Sequence, residues 1–216
     1  MVRVPRLPAF RSPALFKPFV FLLALTPFIA LVVNGVTDNL GANPIDKITD
    51  VTGIWTLRFL VITLAVTPVR WATGWNFVVR FRRMLGLFAF FYGFLHFSTY
   101  IVLDQFFAWN LIVKDVLKRP FITAGFTAFV LLIPLAITST AGWIRRLGGK
   151  RWQMLHRLIY VSAIAGAVHY LWLVKIVTIE PLTYLALVGA LLAIRAWRTW
   201  RPKPSPVRPT EARART

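Results

Sequence analysis

The 216-residue chain has only three histidines, and each lies in an apolar stretch. His96 closes LGLFAFFYGFLH, while His156 and His169 stand near the two ends of HRLIYVSAIAGAVHY. Neutral imidazole is a lone-pair donor to metals and a proton carrier near neutral pH. An ionisable group inside an apolar segment is costly, so it either fixes packing or carries function. The chain has no cysteine, which excludes disulfides, thiolate ligands, Cys-held iron–sulfur clusters and covalent haem attachment. The chemistry within reach is therefore imidazole ligation, proton transfer, or plain hydrogen bonding between helices.

The elements that must position these residues follow from composition. Hydrophobic residues make up 57% of the chain and charged residues 15%, against about 25% charged in a soluble domain. This is the composition of an all-α, polytopic membrane protein, with length for about six spans of roughly 20 residues. Apolar runs predict helices over 16–36, 51–69, 84–103, 121–139, 152–174 and 182–199. The domain expected over 16–199 is flanked by a basic leader (1–15) and a Pro- and Arg-rich tail (200–216) of disordered composition. The first apolar run is long and lacks a small-x-small cleavage site, so it reads as an uncleaved anchor. Prolines 27, 68 and 134 fall within or at the ends of spans, which membrane helices tolerate when neighbours satisfy the freed backbone.

Charge then orients the bundle. The leader, the 70–83 and 140–152 loops and the tail from Arg195 hold nineteen Lys/Arg, and the three loops on the other side hold five. Six of the seven acids fall on the less basic side. The positive-inside rule puts both termini in the cytoplasm. The net charge of +19 thus reports topology and contact with anionic membrane lipid; no nucleic-acid partner is expected.

At 1.5 Å per residue, His96 lies roughly 12 Å from the outer end of its helix and His169 roughly 9 Å from the outer end of its own. Two histidines at matched depth on different helices are well placed to be axial ligands of a b-type haem. A closed zinc site would need four ligands, and no carboxylate is near in sequence. His156 is roughly 20 Å nearer the cytoplasm than His169 and turned off its face unless the helix bends, which Gly166 could permit. A second haem there would find Arg82 and Arg83, not histidine, at the matching positions of the third span. That haem stays open, with one protein ligand or an unusual one, beside a packing role for His156. Arg58, eight residues past Asp50, has about the depth of His96; it either snorkels outward or pairs with a haem propionate, shared with Lys175.

The segments NPID (43–46), TGIWTLRF (52–59), LAVTPVR (64–70), RRMLGLFAFFYGFLHFSTY (82–100), KRPFITAGF (118–126), PLAITST (134–140), WQMLHRLIYV (152–161) and HYLWLVK (169–175) together resemble the MsrQ (YedZ) family. These are the haem-binding membrane subunits of bacterial protein-methionine-sulfoxide reductase systems, with a ferric-reductase-like transmembrane domain. The resemblance implies an inner-membrane subunit that takes electrons from the quinone pool. They would pass through b-type haem, with FMN associated, to a periplasmic molybdopterin enzyme that reduces methionine sulfoxide in proteins. It carries the family's three histidines onto His96, His156 and His169. No Gly-rich phosphate loop marks an FMN site, although the basic loops at 80–83 and 145–151 could hold a phosphate. The chain reads as an electron-transfer subunit rather than the catalytic one. The rival readings are a stand-alone ferric or cytochrome b561-type reductase and a non-redox transporter whose histidines pack or relay protons.

Overall fold

The computed structural model describes residues 16–174 and 178–200; the leader, Lys175 and the tail beyond Trp200 lie outside the described residues. Helices α1 (Phe16–Val36), α2 (Pro44–Thr73), α3 (Arg82–Thr99), α4 (Trp109–Lys118), α5 (Pro120–Ile137), α6 (Ala141–Leu155), α7 (Leu158–Leu173) and α8 (Ile179–Trp200) follow in order, with no strand among the described residues. Among the described residues, five segments are long and apolar enough to cross a bilayer: α1, α2, Asn76–Asp104 around α3, α5 and α8. The sixth span is the shorter apolar helix α7. The described residues form a multi-pass bundle of six spans.

Several boundaries differ from the sequence expectation, each for a local reason. Helix α2 runs 30 residues, about 45 Å, rather than 51–69. The Asn43 side chain caps its start by accepting from the Asp46 amide, Pro44 sits in the first turn, and Gly74 ends it at φ 75°. The expected cytoplasmic loop at 140–152 is largely helix α6, capped by Thr140 and broken at Gly148 (φ 72°, ψ 151°). The fifth span is not one helix over 152–174. It breaks at His156 and Arg157, where the backbone makes i→i+3 bonds from Arg157 to Met154 and from Tyr160 to Arg157. Gly166, the expected place for a bend, lies inside the unbroken α7.

Proline positions explain two cross-links of the bundle. Proline has no N–H, so it leaves the carbonyl four residues earlier without a helical partner. Pro68 orphans the Leu64 carbonyl, and Arg195 of α8 donates to it at 2.5 Å while its other nitrogen donates to the Tyr160 hydroxyl at 2.9 Å. Pro27 orphans the Leu23 carbonyl, which accepts from the Thr26 hydroxyl at 2.8 Å. Beside that kink the fully buried Tyr92 hydroxyl enters the α1 ladder, donating to Ala24 O at 2.9 Å and accepting from the Phe28 amide at 3.1 Å. The proline-opened carbonyls are thus re-satisfied, by Arg195 of another helix at Pro68 and by Thr26 of the same helix at Pro27, as a bilayer without water requires.

The core sits where α2 packs on α3 and α5 on α7. Phe59 stacks on Tyr92 with centroids 5.5 Å apart, over buried Leu60, Leu64, Ala89, Ala163 and Ala167. Alanine and glycine along α3 and α7 let these pairs approach closely, the usual basis of helix association in lipid. Each pair carries one of the two outer histidines.

Candidate functional site

His96 projects from α3 toward α2, and its Nδ1 donates to the Thr49 carbonyl at 3.0 Å. His169 projects from α7 toward α5, and its Nδ1 donates to the Phe121 carbonyl at 2.7 Å. A carbonyl only accepts, so each Nδ1 carries the proton and each neutral ring keeps its lone pair on Nε2. Such a backbone bond fixes both tautomer and ring orientation, the usual support of a metal-ligating histidine. The ring of Phe121 lies beside that of His169, 6.3 Å between centroids.

The two imidazoles lie next to each other, edge to face, with centroids 6.1 Å apart and planes at 73°. A ligating nitrogen stands about 2 Å from its metal, and the ring centre lies about 1 Å further back by imidazole geometry. Two axial imidazoles on one metal therefore set their centroids about 6 Å apart. The spacing and the two proton-bearing Nδ1 atoms fit two imidazoles that would hold one haem iron between them. A smaller ion is poorly served, since no group of three or more His, Cys, Asp or Glu able to hold a metal occurs among the described residues.

Both rings line a cavity of about 790 Å³, within the range of cofactor sites. Its walls are apolar, with Leu57, Leu60, Phe97, Phe129 and Leu132 among them, and Lys47, Asp50, Asp104, Arg119 and Glu180 also line it. Arg58 lines the same cavity. Its Nε donates to the Tyr184 hydroxyl at 3.0 Å, and its guanidinium lies 4.8 Å from the Trp55 ring centre. The guanidinium is thus held against α8 and Trp55 at the wall of the cavity.

His156 is not brought to this cavity. It ends α6, stacks on Trp152 at 3.9 Å and places Nε2 3.1 Å from the Thr138 hydroxyl. That hydroxyl donates its single proton to the Pro134 carbonyl, so it accepts from His156 Nε2. Trp152 also donates to the Thr138 carbonyl at 2.9 Å. His156 thus ties the α6–α7 corner to the end of α5.

Sequence reasoning passed over Trp55, Tyr184, the two receiving carbonyls and the cavity glycines Gly53, Gly93 and Gly125. One signal was available: both outer histidines occur as Gly-x-x-His, GFLH at 93–96 and GAVH at 166–169, and both glycines line the cavity.

Residues 52–167 match the family model described as ferric reductase like transmembrane component. The chain is 54% identical over 191 residues to the protein-methionine-sulfoxide reductase heme-binding subunit MsrQ of Herminiimonas arsenicoxydans, covering 88% of each chain. Proteins of the same name from Ralstonia nicotianae and Rhodospirillum rubrum are similar too. The first is 54% identical over 184 residues, with 84% of this chain and 85% of the relative covered. The second is 51% identical over 176 residues, with 82% and 85% covered.

Proposed function

This chain belongs to the ferric-reductase-like transmembrane family, among the MsrQ subunits of protein-methionine-sulfoxide reductases, and from that premise we propose that it carries electrons across the bilayer through a b-type haem held by His96 and His169. The observation that carries the ligand assignment is the adjacent pair of imidazoles, with centroids 6.1 Å apart, each with Nδ1 bound to a backbone carbonyl. Bound there, iron porphyrin supplies one-electron redox chemistry.

The protein's own groups do the rest. His96 and His169 are the residues that would hold the haem, and ligation by two imidazoles would suit electron transfer rather than oxygen binding. The Thr49 and Phe121 carbonyls hold the proton on Nδ1 and so leave Nε2 with its lone pair. Leu57, Leu60, Leu132 and Phe129 exclude water from the site. Arg58, braced by Tyr184 and Trp55, offers a cation to a propionate. Its proposed sharing with Lys175 falls outside the described residues.

The direction of flow follows from depth and charge. Both imidazoles sit toward the side with fewer Lys/Arg, the periplasmic side of an inner-membrane protein with cytoplasmic termini. Quinol is the proposed donor, with FMN associated, and a periplasmic molybdopterin methionine sulfoxide reductase the acceptor. Reducing a sulfoxide to a thioether takes two electrons and two protons and releases water; oxidation of one quinol to quinone supplies both electrons. A flavin phosphate would meet the basic cytoplasmic segments at 80–83 and 145–151. The haem proposed here is the outer one. A second group at His156 would have to use Nδ1 or displace the Thr138 bond.

The purified protein in detergent, mixed with a quinol analogue, should show a Soret band and a reduced b-type spectrum. Reoxidation should need both the periplasmic subunit and methionine sulfoxide. Equal reoxidation by a ferric chelate without the partner would favour the stand-alone reductase, and a protein without a Soret band would end the haem reading.

A further inference from the structure

We infer that Gly53 and Gly125 are positioning residues for the two imidazoles: each keeps its helix bare one turn past the carbonyl that receives the histidine N–H. This rests on the ligand assignment above, and concerns how the rings are aimed.

The two sites repeat one arrangement. His96 of α3 donates to Thr49 O on α2, and Gly53 stands four residues further on. His169 of α7 donates to Phe121 O on α5, and Gly125 stands four residues further on. In an α-helix the amide of residue i+4 already occupies the carbonyl of residue i. The oxygen has a second lone pair, which another donor can reach only from the helix flank. Helical side chains lean toward the N-terminus and cover the turn before their own Cα. The side chain at i+4 would therefore cover that flank, and only glycine leaves it open.

The clearances agree. A Cβ on Gly53 would stand 3.0 Å from both Cε1 and Nδ1 of His96. On Gly125 it would stand 2.8 Å from Nδ1, 2.9 Å from Cε1 and 3.0 Å from Cγ of His169. Neither ring can retreat while its N–H stays bound to the same helix. The Gly125 site is the tighter, because Cγ is the ring atom nearest the α7 backbone and least able to swing away. Other helical glycines lack this constraint: a Cβ on Gly86 of α3 would only touch a Thr63 methyl at 3.7 Å. Alanine is otherwise the better helix former, so any loss at 53 or 125 comes from the contact.

The test compares Gly125→Ala, Gly53→Ala and Gly86→Ala with the native holoprotein, reading the low-spin fraction of the oxidised haem. Gly125→Ala should lose most of the low-spin signal, Gly53→Ala a smaller part, and Gly86→Ala none. A native low-spin spectrum in Gly125→Ala would overturn the inference. Native protein without low-spin haem, or His96→Ala and His169→Ala both keeping it, would instead refute the ligand assignment. A second measurement needs no haem spectrum. Gly125→Ala should lower Tm in the native background and leave it unchanged beside His169→Ala, where the ring it strikes is gone. Equal losses in both backgrounds would also overturn the inference.

Discussion

Replacing Arg195 by methionine should destabilise the bundle in proportion to what Pro68 leaves undone. Methionine keeps the apolar stem and removes the guanidinium, which serves the orphaned Leu64 carbonyl at 2.5 Å and the Tyr160 hydroxyl at 2.9 Å. A hydrogen bond from a charged group is worth about 1.5–3 kcal/mol in water-soluble proteins, whereas helix–helix bonds within bilayers average about 0.6 kcal/mol and reach about 1.7 kcal/mol. Two such bonds, less the relief of removing a partly buried cation, give a net loss of about 1–2 kcal/mol. The diagnostic is the double variant. Pro68→Ala restores an amide that can bind Leu64 O along α2, so Arg195→Met beside it should cost about 1 kcal/mol less than alone. The assay is reversible unfolding in mixed micelles, following helical signal for the four proteins of the cycle. Equal costs in both backgrounds would show that Arg195 does not answer the proline.

Three further outcomes follow from the same geometry. His156→Ala should leave the spectrum of the outer haem unchanged per haem while slowing its reduction from the cytoplasmic side; stopped-flow with quinol or reduced flavin measures this, and loss of the outer haem spectrum would contradict the placement of His156 away from the cavity. Arg58→Gln should keep low-spin haem but lower its midpoint potential by tens of millivolts, since removing a nearby cation favours the oxidised iron; potentiometric titration reads the shift. A reporter fused at the C-terminus should be active only in the cytoplasm, and one inserted in the 104–120 segment only outside.

The six spans and the pairing of His96 with His169 were legible because both depend on length alone. A span needs a minimum apolar run, and a fixed rise per residue converts sequence offset into depth. The break at His156 and Arg157 was not legible, because WQMLHRLIYV holds no glycine or proline to mark a helix end; the bonds from Trp152 and His156 to Thr138 hold that corner. Helix α4 was missed because its ten residues mix charge with an apolar face, and only its packing on α5 distinguishes it from loop. The carbonyls of Thr49 and Phe121 carry no residue-specific mark at all. Their glycines four residues later do, yet the meaning of those glycines appears only once an imidazole is seen to need the space. Arg58 was legible as an intramembrane cation at about the depth of His96, but its brace, Tyr184, lies 126 residues away in the chain.

The proposed ligation is best tested by low-temperature electron paramagnetic resonance of the oxidised, purified protein beside its His96→Ala and His169→Ala variants. Two axial imidazoles with planes at 73° should give a low-spin ferric signal of the strongly anisotropic kind that crossed ligand planes produce. Each alanine variant should lose that signal and gain high-spin iron or lose haem. A native spectrum that is wholly high-spin, or the same low-spin signal surviving in both variants, would contradict ligation by His96 and His169.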